Sequence, residues 1–226
     1  MEYRVENGIY KLDFELSRLE KEILEECMII LENTGFKYLY VPSTITPETF
    51  QKQQIKAKTF RYGENEVLAG SAEQGILEYF ANSKVDEMKI YSKNTCFRTE
   101  DYYEGLKRVK EFTKVEQFIF CYEEKVDEMF EQLLNNAYTL LKEYDIKYRT
   151  IDVTSKDFGY HKKKFDIEVW TEKYGWMETH SCSYFGEEQS KRYNIAGAKH
   201  TLSNTGIAVP RVLIPLIEKN KKGQIQ

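Results

Sequence analysis

The sequence is poor in the residues that announce specialised classes. Cysteine occurs four times, at Cys27, Cys96, Cys121 and Cys182, and no two form a CxxC pair. That argues against a zinc ribbon. Histidine is also scarce, with three residues, His161, His180 and His200. No apolar run approaches the roughly 18 residues of a membrane-spanning helix, so no membrane partner is expected. The opening "MEYRVENGIY" has no signal-peptide character, and a reducing, cytoplasmic setting is the default. An excess of positive charge is also missing. The net charge is −4, which argues against a chain built chiefly to grip nucleic acid. Proline is limited to four positions, and no repeat, low-complexity tract or linker interrupts the chain.

What is present is an ordinary soluble balance: 226 residues, 41% hydrophobic and 31% charged, enough for one good-sized domain with a buried core. The 17 tyrosines and 13 phenylalanines read first as core material. The basic clusters Lys162–Lys164 and Lys219, Lys221 and Lys222 read as solvated surface.

Periodicity places a helix over "LDFELSRLEKEILEECMIILENTG", where Leu12, Leu16, Leu19, Ile23 and Ile30 lie near helical spacing and Gly35 is the stop. "FKYLYVP" alternates like a strand and ends at Pro42. "NEVLAGSAEQGILEYF" runs from strand to helix, "EEKVDEMFEQLLNNAYTLLKEYD" is a second long helix, and "IKYRTIDV" is a strand. "KKFDIEVWTEKYGWMETHSCSYF" reads as two strands turning at Tyr174–Gly175. "HTLSNTGIAVPRVLIPLIEKN" reads as a strand, a glycine break and a closing helix. This order predicts an α+β fold with an antiparallel sheet flanked by helices.

The stretch "NTCFRTEDYYEGLKRVKEFTKVEQF" carries the most chemistry. As two paired strands, it sets Arg98 and Glu100 on one face, with Arg108, Lys110, Phe112, Lys114 and Glu116 continuing that face. Such a face suits a nucleotide: arginine on phosphate, an aromatic ring on a base, a carboxylate on an exocyclic amine. It equally suits a solvated sheet with cross-strand ion pairs, and spacing alone favours the second reading. Later segments shift the balance. "METHSCSYF" supplies Glu178 and Ser181, oxygen ligands of the kind Mg²⁺ takes beside phosphates. "NTGIAVPRVL" puts Arg211 in the first turn of a helix, a setting for a terminal phosphate. Together these pieces describe an ATP site on an antiparallel sheet.

The same segments, in the same order, resemble the catalytic domain of seryl-tRNA synthetase, a class II aminoacyl-tRNA synthetase. "LEKEILEECMIILENTGFKYLYVP" is similar to motif 1, "SAE" at 71–73 to a Thr-Ala-Glu loop, and "CFRTE" with "GLKRVKEFTKVE" to motif 2. "DFGYHKKKFDIEVW" and "METHSCSYFGEEQSKRYNI" resemble two blocks before motif 3, and "HTLSNTGIAVPRVLIPLIE" resembles the motif 3 region. The resemblance implies an ATP- and Mg²⁺-dependent ligase that forms an aminoacyl-adenylate. In it, Arg98 and Arg211 would be catalytic, holding the α- and γ-phosphates, with Arg98 also on the amino acid carboxylate. Glu100, Arg108 and Phe112 would hold the nucleotide, and Glu178 and Ser181 the Mg²⁺. Ser71, Glu73, Glu116, Ser203 and Thr205 would line the amino acid pocket. His161, His180 and His200, and the thiols of Cys96 and Cys182, would be structural.

Departures from the family pattern shape the expected function. The chain begins at the catalytic domain, so residues 1–226 are expected to form one domain without the N-terminal helical arm that grips tRNA. The "DYYEG" insert is shorter than the family's loop. Ser203 stands where asparagine is usual, and Lys110 and Glu111 replace a His-Gln pair. Some arm-less relatives load a carrier protein through a zinc pocket of two cysteines and a glutamate; the corresponding Ser71, Glu116 and Thr205 offer no cysteine. The expectation is therefore activation of serine and transfer to a non-tRNA acceptor such as a carrier protein, small molecule or peptide. tRNA binding would be weak or absent, and a homodimer would form through residues 12–42. The alternatives are a minimal seryl-tRNA synthetase working with tRNA, and a non-catalytic regulatory paralogue that binds amino acid or nucleotide.

Overall fold

A computed structural model describes residues 1–53, 60–156 and 159–221. Asp157 and Phe158 of the "DFGYHKKKFDIEVW" block, and Lys222 with the rest of "KKGQIQ", lie outside the described residues. The chain opens with a hairpin, β1 (Tyr3–Glu6) and β2 (Ile9–Leu12). Its turn is Asn7–Gly8, both with positive φ, the backbone that a tight two-residue hairpin demands. Helix α1 (Phe14–Asn33) follows. Asp13 caps it by accepting from Leu16 N at 2.8 Å, and its inner face buries Leu16, Ile23, Leu24, Cys27 and Leu31. Gly35, at φ +88°, turns the chain out of the helix.

A short edge strand, β3 (Lys37–Tyr38), leads to β4 (Thr44–Ile45), α2 (Pro47–Lys52), β5 (Arg61–Tyr62), β6 (Glu66–Leu68), α3 (Ala72–Tyr79) and β7 (Lys84–Val85). Two long strands come next, β8 (Met88–Phe97) and β9 (Glu111–Cys121), then α4 (Val126–Glu143) and β10 (Tyr148–Asp152). The chain closes with β11 (Lys163–Thr171), β12 (Gly175–Gly186), α5 (Glu188–Arg192), β13 (Ala196–Gly197), β14 (His200–Ala208) and α6 (Val209–Lys221).

Seven strands form the main sheet in the order β10-β11-β12-β14-β9-β8-β3. Every pairing is antiparallel except β3 with β8. The α+β architecture expected from the element order is the one observed. Of "FKYLYVP", only Lys37 and Tyr38 pair as strand.

The sheet has two unlike faces. On the lower face, Val115, Ile119, Ile167, Val169, Cys182, Leu202 and Ile207 pack against the apolar sides of α1, α4 and α6 in one continuous core. Gln117, Asn136 and Asn204 interrupt it, and each side-chain amide N–H finds an acceptor. Gln117 and Asn204 donate to Leu133 O at 3.3 and 2.8 Å, and Asn136 donates to Gln117 at 2.8 Å. Truncating Leu133 at the centre of this layer would cost about 2–5 kcal/mol. On the upper face, Phe118 and Phe120 meet α3, while Phe112, Lys114, Glu116, Ser203 and Thr205 share a side by register. The helices thus brace the sheet from below and leave part of its upper face for chemistry.

Three β-bulges break the ladder, one of them at Phe185 near the end of β12, and the other two bear on the cleft. The first of these two sets Ile167 opposite His180 and Glu168 opposite Glu178, so Thr179 is an extra residue. The other sets Thr205 opposite Glu116 and Ile207 opposite Val115, so Gly206 is extra. The glycine expected to break the last strand instead bulges it, and β14 runs on to Ala208 before α6 begins.

Candidate active site

A cleft of about 500 Å³, counted to its open mouth, lies over the middle of the upper face. Its wall includes Arg98, Glu100, Lys107, Arg108, Phe112, Lys114, Glu178, Thr179, Thr205 and Arg211. Seven of the positions singled out in the sequence therefore converge here: Arg98, Glu100, Arg108, Phe112, Glu178, Thr205 and Arg211.

Their backbone setting differs from the expected hairpin. Strand β8 stops at Phe97, so Arg98 and Glu100 lie just beyond it. Arg108 and Lys110 lie in the connector before β9. Pairing lapses because the connector makes its own bonds. Arg98 N donates to Lys110 O at 2.8 Å, Glu104 and Arg108 form a local bridge, and Lys110 N donates to Gly8 O of the first hairpin at 2.8 Å. Lys110 is consequently turned from the cleft, its ammonium 4.9 Å from the Tyr103 ring centre. Arg108 does face inward, donating to Glu100 at 2.8 Å, and the Arg98 guanidinium lies 5.3 Å from the Phe112 ring centre.

Arg211 sits in the first turn of α6, as expected. It is fixed by two backbone carbonyls, donating from Nε to Lys107 O at 3.0 Å and from Nη1 to Glu178 O at 2.9 Å. Burial, with Arg98 and Arg108 nearby, pulls its pKa below the ordinary arginine value against the opposing effect of Glu178. Three guanidiniums aimed at one cleft make a strong seat for a polyanion.

The placement of the expected cation ligands, Glu178 and Ser181, follows from the first bulge. Glu178 and Ser181 are three residues apart, a spacing that puts them on opposite faces of a regular strand. With Thr179 extra, they share the face that holds Asp166 and Glu168. The Glu178 carboxylate is half-exposed on the cleft wall, 3.9 Å from Arg211. Ser181 donates its proton to Asp166 at 2.8 Å, which leaves its lone pairs for a cation, though its side chain does not line the cleft. Among the described residues no cluster of three His, Cys, Asp or Glu side chains has metal-binding geometry. The residues present fit an Mg²⁺ held by one or two protein oxygens with phosphates completing its shell.

Beyond Lys114 and Thr205 lies a floor of paired polar groups. Glu116 is buried, forms a tight ion pair with Lys114, and accepts from Ser71 Oγ at 2.5 Å. The Ser71 hydroxyl also caps α3. Glu73, in the first turn of that helix, accepts from Ser203 Oγ at 2.6 Å, Gln189 Nε2 at 2.9 Å and Gln53 Nε2 at 3.2 Å. Burial, and then the charge of Glu116, push its pKa up to about 7. Of the six positions assigned to amino acid binding, the five besides Arg98 are thus brought together on the floor: Ser71, Glu73, Glu116, Ser203 and Thr205.

Thr179 and Gln189 escaped the sequence reading, and Lys114 was placed on the site face without a role. The alternation of Phe112, Lys114 and Glu116 is a usable signal for the lysine. Nothing local marks the other two. Of the histidines, His161 Nε2 lies 3.3 Å from Thr154 O, His200 Nδ1 lies 2.6 Å from the Tyr184 hydroxyl, and His180 is fully buried between the Thr179 hydroxyl and Gly206 O. All four thiols are buried and free, and burial pushes that of Cys96 up to about 11.

Comparison with known proteins gives this geometry a family. Residues 56–220 match the model of the tRNA synthetase class II core domain (G, H, P, S and T). Serine–tRNA ligase of Deinococcus radiodurans is 34% identical over 242 residues, covering 94% of this chain and 56% of the relative. The chain thus spans about half the length of the curated relatives it matches. Among solved structures, seryl-tRNA synthetase from Pyrococcus horikoshii complexed with ATP superimposes with a TM-score of 0.87 at 25% identity. It covers 94% of this chain and 53% of that one. The Giardia lamblia prolyl-tRNA synthetase in complex with prolyl-adenylate shares the fold, with a TM-score of 0.82 at 17% identity over 92% of this chain and 47% of that one. The chain belongs to the class II tRNA synthetase core domain family.

Proposed function

We propose that this chain activates an amino acid, with serine as the substrate that fits best, by forming an aminoacyl-adenylate from ATP. The observation that carries this reading is the convergence of Arg98, Arg108 and Arg211 on one cleft against only Glu100 and Glu178, next to a floor built around Glu73 and Glu116. The amino acid's carboxylate oxygen attacks the α-phosphorus in line, the bond from that phosphorus to the bridging oxygen breaks, and pyrophosphate leaves. Arg98 neutralises charge at the α-phosphate and orients the attacking carboxylate. Arg211, locked by two carbonyls, holds the far phosphate. Phe112 offers its ring to the adenine, and Glu100 accepts from the base side. Glu178 and Ser181 would hold the Mg²⁺, which would supply further charge neutralisation beside the phosphates. The step asks for positioning and electrostatics rather than a protein nucleophile. On the floor, Glu116 and Glu73 receive the substrate ammonium, and Thr205 meets the hydroxyl.

Two acceptors are weighed. The compact β8–β9 connector, folded onto the first hairpin through Gly8, favours a carrier protein, small molecule or peptide over tRNA. The serine–tRNA ligase relatives favour tRNA, with the chain acting as the core of a longer enzyme or beside a partner. A homodimer through residues 12–42 is also proposed. Its support is the edge position of β3 and the exposed Phe14, Tyr38 and Tyr40. Trapping with hydroxylamine tests the first half-reaction: serine, Mg²⁺ and ATP are expected to yield seryl hydroxamate and pyrophosphate. Radiolabelled serine then appears either on tRNA or on the non-tRNA acceptor. A chain that binds ATP but makes no hydroxamate would be a regulatory paralogue.

A further inference from the structure

His180 belongs to neither the cleft nor the floor, yet it joins the two irregularities on which the cleft depends. It is fully buried in β12. Its Nδ1 lies 2.8 Å from Thr179 Oγ1, and its Nε2 lies 3.1 Å from Gly206 O. Thr179 and Gly206 are the extra residues of the two bulges, on adjacent strands. A bulge leaves a carbonyl or amide outside the ladder, and an orphaned buried polar group costs stability, so the ring satisfies what the bulge at Gly206 exposes. In the neutral ring, Nε2–H donates to Gly206 O and Nδ1 accepts the Thr179 hydroxyl. Burial favours that neutral form by pulling the pKa down to about 4.

Each bulge sets one part of the cleft. Thr179 lines it and turns Glu178 onto the face of Ser181. Gly206 follows the cleft residue Thr205 and sets the exit of β14 into α6, whose first turn carries Arg211. The fit at Gly206 is close, since a Cβ there would come within 3.1 Å of Cys27 Sγ and 3.2 Å of Val115 O. Arg211 in turn donates to Glu178 O, closing a loop from one bulge to the other.

We propose that His180 is a positioning residue that holds the metal-side bulge at Thr179 and the phosphate-side bulge at Gly206 in fixed relation, so that Glu178 and Arg211 meet the same polyphosphate. Its catalytic readout rests on the adenylation reading above. Its binding readout needs only that the cleft takes Mg²⁺·ATP.

The two ring nitrogens give separable tests. Glutamine places an N–H donor where Nε2 stands and keeps the arm to Gly206. Asparagine reaches only the Nδ1 position and keeps the arm to Thr179. His180→Leu removes both. We expect folded His180→Leu to raise the Mg²⁺ half-saturation and the pyrophosphate KM about tenfold each, with the serine KM unchanged, as loss of an orienting outer partner does. His180→Gln recovers the pyrophosphate KM and leaves Mg²⁺ weak; His180→Asn does the reverse. Calorimetric Mg²⁺·ATP binding and thermal midpoints are measured on all four proteins. If the leucine variant fails to fold, the opposed glutamine and asparagine patterns decide alone. The proposal is overturned if folded His180→Leu keeps both parameters, or if all parameters in the glutamine and asparagine variants move together with stability. Wild-type protein that binds Mg²⁺·ATP but shows no exchange with any amino acid overturns adenylation alone, and the binding split still judges His180. Wild-type protein that binds no Mg²⁺·ATP overturns both.

Discussion

The side of the cleft proposed for the nucleotide and the floor proposed for the amino acid are built on opposite electrostatic plans. On the nucleotide side, Arg98 is exposed and has a ring but no carboxylate partner in the cleft. Arg211 spends its bonds on carbonyls, and Glu178 stands 3.9 Å from it. On the floor, Glu116 is buried and tightly paired with Lys114, and Glu73 receives three donors. Positive charge on the first side has little to neutralise it until a polyanion arrives. Charge on the second is already neutralised and desolvated. The first side is therefore tuned for binding at little cost to folding, and the second contributes to both. Breaking a surface charge there is cheap, whereas removing one member of a buried pair strands the other.

That contrast is easiest to break at Glu116. Glu116→Ala leaves the Lys114 ammonium buried and unpaired, and we expect a loss of about 3–5 kcal/mol in chemical denaturation together with loss of amino acid activation. A variant that lost activity but kept full stability would contradict the floor's structural role. Arg98→Ala is the counterpart. It is expected to lower amino acid-dependent exchange by at least about 100-fold, a loss typical of one preorganised transition-state donor, while the thermal midpoint stays put.

The next test uses pH. Glu73 has a folded-state pKa near 7 against an ordinary value of 4.5. A raised carboxyl pKa means that the stabilisation from the neutral form is fully present below 4.5 and is lost as pH rises through about 7. Urea midpoints of wild type minus those of Glu73→Gln should therefore decline across that window. A difference that is flat with pH would remove the second carboxyl from the floor's account. The smallest effect is expected for Arg108→Ala. Its half-exposed pair with Glu100 makes the change in stability at most about 1 kcal/mol, and the readout is a weaker ATP KM.

Much of this was legible in the sequence, for definite reasons. Arg98, Phe112, Glu178 and Arg211 stand at fixed offsets from strand and helix signals, and each reaches the cleft. The floor was legible only through the family resemblance, because "SAE", Glu116 and Thr205 come from three elements that the folded sheet alone brings together. The bulges were not legible. "METHSCSYF" alternates equally well in either register, and only the partner strands reveal that Thr179 is extra. The β8–β9 connector was misread as strand because Arg108 and Lys110 keep the alternation of Phe112 and Lys114. Their backbone bonds go instead to Glu104 and to Gly8, more than ninety residues away in sequence. The opening hairpin was missed although Asn7–Gly8 between alternating runs is a strong local turn signal.

One measurement bears most directly on the central claim that this cleft activates an amino acid: ATP–pyrophosphate exchange with each of the twenty amino acids, run beside Arg98→Ala. The account predicts exchange with serine, absent in the variant. Exchange with none of the twenty, or exchange that survives in Arg98→Ala, would contradict it.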